Sequence, residues 1–139
     1  MRYFIAFFVV LTLSYTSPAQ DGPKLSIGEK GNQYPVTGQA ISERMTTAVF
    51  RSDPKLYVNT ESGNNSYIIA QYDIAVQVDD KNIIGPFTIK ENNAQDILDK
   101  MYRHFETGAK VFYDKIILAC RDCVPPKPVA VPGIAVELE

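Results

Sequence analysis

Over residues 67–78 apolar and polar side chains alternate: Ile68, Ala70, Tyr72, Ile74, Val76 and Val78 share one parity, while Gln71, Asp73 and Gln77 share the other. Residues i and i+2 share a face only in a β-strand, so a period of two held this long requires a half-buried antiparallel strand. One face lies in a core and the other looks towards water. Such a strand cannot stand alone, because its backbone groups need partners on either side.

The rest of the chain supplies candidates. Residues 83–90 return as a strand interrupted at Gly85-Pro86, a dipeptide that marks a bulge or an edge because proline cannot donate to the ladder. Residues 110–120 form another strand, with Ile116, Ile117 and Leu118 as its apolar centre. Residues 129–138 end the chain as a strand with Ile134, Val136 and Leu138 inward and Glu137 outward. Residues 46–51 and 56–60 read as short β-rich pieces split by Ser52, Asp53 and Pro54. Residues 61–66 and 79–82 are turn clusters.

One helix interrupts the strands. Ala94, Ile97, Leu98, Met101, Tyr102 and Phe105 recur at helical spacing, which makes one apolar stripe. Asn93 is placed to cap its start, with Asp96 in the first turn, and Gly108 is placed to follow its end. The expectation is a mainly β fold: an antiparallel β-sandwich with one amphipathic helix, at about residues 93–106, packed on it before the last hairpin.

At the N-terminus, Arg2 precedes an apolar run over 3–13, then a polar stretch with small residues at Ser17 and Ala19. This is the layout of a signal peptide, residues 1–19, cleaved after Ala19. The apolar run is shorter than the roughly 20 residues that span a bilayer. Residues 20–38, rich in Gly, Pro, Asn and Lys, read as a flexible leader with one short strand near 25–27. Residues 39–139 remain as a single domain. A net charge of −2 with no basic block disfavours nucleic acid as a partner. The chain is therefore read as periplasmic or secreted.

Few residues carry obvious chemistry. Cys120 and Cys123 are separated by Arg121 and Asp122 in an apparent turn. In an oxidising compartment they read as a small disulfide clamping that turn; a thiol–disulfide exchange site is the alternative. His104 is the single histidine, too few imidazoles for a zinc site, so no metal is assigned. Asp79, Asp80 and Asn82 could face a calcium ion but are better explained as turn residues. Tyr72 and Tyr102 sit on apolar faces and are assigned to the core. Tyr67, on the polar face of its strand, and Tyr113 are candidate contacts for a partner, together with Arg121 and Asp122. The proline-rich run at 124–131 reads as a device that blunts an edge strand.

Gly108, Lys110, Val111, Tyr113, Asp114 and Ile116, followed by Pro132, Gly133, Ile134 and Val136, resemble the end of the C-terminal domain of GldM (PorM). That family forms the shaft of the Bacteroidetes gliding and type IX secretion motor. The helix over 94–105 and the strand over 67–78 are similar to their counterparts, and 25–41 is weakly similar to the start of the module. The family's Gly-Pro-Asp-Gly hairpin tip is replaced here by Cys-Arg-Asp-Cys. The resemblance implies a β-rich envelope module that binds protein partners, and it brings no catalytic motif; the chain is read as non-enzymatic, with no cofactor and with a homodimer left open. A third reading, an accessory holding a small ligand between helix and sheet, would require a cavity with convergent polar groups. If the N-terminal reading is right, the exported protein begins at Gln20 by intact mass and N-terminal sequencing; an exported chain that retains Met1 contradicts it.

Overall fold

The computed structural model describes residues 23–36, 39–59, 67–121 and 128–139. Residues 1–19, expected from the sequence to be a signal peptide, and Asp122 and Cys123 lie outside these residues. The fold is mainly β, as the alternation predicts. Among the described residues nine strands run in chain order: β1 (Lys24–Ile27), β2 (Tyr34–Pro35), β3 (Ile41–Met45), β4 (Leu56–Asn59), β5 (Tyr67–Gln77), β6 (Ile83–Lys90), β7 (Lys110–Cys120), β8 (Pro128–Val131) and β9 (Ile134–Leu138). Helix α1 (Thr47–Ser52) lies between β3 and β4, and α2 (Ala94–Met101) between β6 and β7. A small sheet, β2-β1-β4, packs over a larger one, β3-β9-β7-β5-β6. β8 and β9 pair with successive stretches of β7, so the last strand is one strand broken at Pro132-Gly133. The sandwich is not wholly antiparallel, because β3 runs parallel to β9.

The long alternation holds over half of β5 and then changes phase. Tyr72, Ile74 and Val76 are buried. Ile69 pairs with Leu118 and Gln71 with Ile117, which leaves Ala70 as an extra residue, a bulge. A single inserted residue inverts every side chain beyond it. Tyr67 and Ile69 therefore pack against the core, whereas Ala70 is exposed. A second irregularity answers the first: from Gln71–Ile117 to Asp73–Asp114 the extra residue is on β7, where Lys115 has φ of 49°. It keeps Val111 and Tyr113 on the same buried face as Ile116, Leu118 and Cys120. β6 is an edge strand and is irregular at Gly85-Pro86, as its sequence predicts. Opposite the β7 bulge, Gly133 lies close against β7: a Cβ there would displace the Asp114 carboxylate and approach the Tyr113 carbonyl oxygen at 3.1 Å.

Three local expectations need correction. Residues 47–52 are helical rather than extended: the Thr46 hydroxyl accepts from the Val49 backbone N–H, so the β-branched threonine acts as an N-cap. The helix delivers Phe50 to the core, edge-on to Phe105 at 4.9 Å and 87°. The leader is not uniformly exposed and flexible, because Leu25, Ser26 and Ile27 are buried and β1 is the central strand of the small sheet. Apolar residues there overrule the flanking turn formers. Tyr102 is 46% exposed rather than core. α2 ends at Met101 and tightens into a 3-10 turn, Tyr102–His104, which swings the tyrosine outward beneath the Arg51 guanidinium, 4.9 Å from its ring centre. Ala94, Leu98, Met101 and Phe105 keep the predicted stripe buried.

Phe50 is fully buried against Phe105. Phe50→Ala should lower the unfolding free energy by about 3–5 kcal/mol in denaturant titration. A loss below about 1 kcal/mol contradicts this packing.

Candidate functional site

The two sheets do not close against each other along their whole length. Where the side of β4 that has no strand partner among the described residues faces the start of β5, a cleft of about 310 Å³ remains, at the small end of the range for ligand sites. β4 contributes Leu56, Tyr57 and Val58, preceded by Lys55; β5 contributes Tyr67, Ile69 and Tyr72. Ile89 and Lys90 at the end of β6, then Glu91 and Ala94, close the far wall, and Arg121 reaches it from the end of β7. Leu56, Tyr72, Ile89 and Ala94 are buried, so the floor is apolar. The Ala70 bulge makes this arrangement possible. Tyr67 and Tyr72 are an odd number of residues apart, and in a regular strand they would point to opposite faces.

The cleft has a positive rim. Lys55, Lys90 and Arg121 converge on it from three segments, with Glu91 as the single carboxylate among the described lining residues. None of the three cations is held in an ion pair among the described residues. The Lys55 ammonium instead lies 5.7 Å from the centre of the Tyr57 ring. At the base, Tyr72 is 3% exposed, and its hydroxyl has no hydrogen-bond partner among the described residues. The Leu56 backbone N–H is near enough to ease ionisation slightly, without closing a bond of ordinary geometry. Burial dominates and pushes the Tyr72 phenol up to about 12. A buried hydroxyl left unbonded is costly, so this atom is suited to accept or donate to something that enters the cleft.

Of the residues singled out in the sequence, Tyr67 and Arg121 meet here, because Tyr67 pairs with Cys120 and Arg121 follows it. Cys120 is buried, and no cysteine among the described residues is free. Tyr113 is corrected from surface contact to core. It is fully buried, its hydroxyl donates to the Pro54 carbonyl at 2.6 Å, and its ring lies 5.7 Å from that of Tyr72. It shares the inward face of β7 with Val111, and its polar tip reaches the segment leading into β4, which ties the two sheets together. Lys55, Lys90 and the Tyr72 hydroxyl escaped the sequence reading. They come from separate strands, and no spacing in the chain signals their convergence.

The other polar clusters have local explanations. Asp79 accepts hydrogen bonds from the Lys81 and Asn82 backbone N–H groups and from the Asn82 side chain. The Lys81 N–H, then the Asn82 amide, hold its carboxyl below the usual range. This is a turn built on its first side chain. Asn93 sits at the N-cap position of α2 but does not cap it. Its side-chain oxygen accepts from the Lys90 N–H at 2.6 Å and its amide donates to the Thr88 carbonyl at 3.2 Å, which covers part of the β6 edge. Among the described residues no three His, Cys, Asp or Glu side chains are grouped as a metal site would need.

The two buried tyrosines give a pH prediction. Burial raises Tyr72 to about 12 and Tyr113 well above its ordinary value. In the unfolded chain a tyrosine titrates near 10. Their contribution to stability is therefore complete below about pH 10 and is lost as pH rises through the folded values, because the unfolded chain then releases protons first. Tyrosinate absorbance compared with Tyr72→Phe and Tyr113→Phe should show both phenols ionising only together with alkaline unfolding. Ionisation of either near pH 10 in the folded protein contradicts their burial.

The chain matches no protein-family model, and no curated protein matches it.

Proposed function

We propose that this chain is a non-enzymatic, secreted or periplasmic protein-interaction module, similar to the C-terminal domain of GldM, that serves as a scaffold or accessory component of the cell envelope. The observation that carries the reading is the cleft. It combines an apolar floor, three unpaired cations among its described lining residues and an orphaned buried hydroxyl. Ligand-binding sites have this character: mostly apolar, with a few polar groups fixing orientation. β4 is the terminal strand of its sheet, so its second side has no strand partner among the described residues. No helix among the described residues is long and apolar enough to cross a membrane.

Cys120 and Cys123 are proposed to pair and so to hold the corner that presents Arg121. The alternative, exchange chemistry at Cys120, is disfavoured by its burial, because a reactive cysteine needs an accessible thiolate.

A photo-cross-linking residue placed at Tyr67 in the exported chain, in its native envelope, tests the reading. Adducts should form at position 67 and not at the exposed Ile83, and Arg121→Glu should abolish them. A folded chain that gives no adduct at 67 contradicts the site. Mixed disulfides through Cys120 or Cys123 with varied proteins would overturn the reading in favour of exchange.

A further inference from the structure

We propose that the cleft captures the C-terminal end of a partner polypeptide: its last side chain apolar and lying on the floor, its free carboxylate at the cationic rim, and its backbone alongside β4. The proposal rests on the reading of the cleft as a binding site and names the chemistry of what enters.

The charge of the rim and the apolarity of the floor select this occupant. The rim carries Lys55, Lys90 and Arg121 against Glu91 alone, so a ligand bearing one negative charge is favoured over a neutral or cationic one. The floor is apolar, formed by Leu56 and Ile89 with Ile69 and Ala94, so the charge must be carried by something with an apolar group beside it. A free acidic side chain would meet the cations but leave the floor unfilled, and an internal apolar segment would fill the floor but leave the cations unanswered. A chain terminus ending in an apolar residue has both within a few ångströms.

The volume and the strand edge decide between a peptide and a small apolar acid. About 310 Å³ holds one or two terminal residues and little more. The side of β4 without a strand partner among the described residues offers main-chain hydrogen bonds that an extended peptide can use and an alkyl acid cannot. The Tyr72 hydroxyl, 3% exposed and without a hydrogen-bond partner among the described residues, then gains a carboxylate or carbonyl oxygen as acceptor.

The test uses the full exported chain and pools of short peptides, randomised upstream and ending in Leu, Ile, Val or Phe. Each pool is prepared with a free carboxylate and with a C-terminal amide, and octanoate serves as competitor. The acid pools should bind at least tenfold more tightly than the amides. Arg121→Gln should remove that preference. Tyr72→Phe should weaken the acids several-fold without lowering the thermal unfolding midpoint, since it removes a buried hydroxyl that has no partner among the described residues. Equal binding of acids and amides, or no binding of either by folded protein, overturns the proposal. Octanoate binding as tightly as the peptides would assign the cleft to a small apolar acid and also overturn it. If adducts form at position 67 while acids and amides bind alike, the carboxylate fails and the cleft stands as a binding site; if adducts are absent as well, both fail.

Discussion

The β5–β7 ladder sets the position of nearly every buried residue, and it works because two irregularities cancel. Ala70 is surplus on β5, and one residue at the Lys115 bend is surplus on β7. Between them the strands run briefly out of step, and beyond them the register is restored. Each insertion inverts the parity of its own strand. Without the one on β7, Val111 and Tyr113 could not share an inward face with Ile116, Leu118 and Cys120. Without the one on β5, Tyr67 would face water. The broken strand β8/β9 follows the same bend: Pro132-Gly133 lies opposite it, and Gly133 leaves room for the displaced Asp114.

From that ladder the second layer follows. Tyr113 points through the core and donates to Pro54, which fixes the segment entering β4. β4 pairs on one side with β1 and leaves the other side facing the start of β5. The cleft is thus a consequence of packing a three-stranded sheet on a longer strand that continues past it. The same geometry that completes the core leaves a small apolar recess at its end, and lysines and an arginine at three strand termini surround it.

Much of this was legible in the chain. Tyr72, Ile74 and Val76, the helical positions Ala94, Leu98, Met101 and Phe105, and Ile134, Val136 and Leu138 are buried as their spacing requires. The Gly85-Pro86 irregularity on an edge strand was also visible. The failures have one physical source: tertiary context overrides a local pattern. Thr46 and Val49 favour strand by propensity, yet Thr46 caps a helix because Phe50 has a partner in Phe105. Tyr67 was assigned to the polar face because periodicity assumes an unbroken strand, and alanine carries no bulge signature. The sequence presents Tyr113 as a contact because Lys115, two residues on in β7 and with positive φ, gives no warning of a bend. In the site, the sequence singles out Arg121 and Tyr67, the tyrosine for a polar face that the bulge removes, but not the cleft that unites them, since its walls are distant in the chain.

The account's central claim is that the Ala70 bulge places Tyr67 and Tyr72, five residues apart, in one cleft. Nuclear Overhauser contacts from both aromatic rings measure this directly. The claim predicts that the Tyr67 and Tyr72 rings both show contacts to the β4 side chains Leu56 or Val58. Contacts from Tyr72 alone, with Tyr67 meeting only residues on the outer face of the large sheet such as Ala119, would mean an unbroken strand and would contradict it.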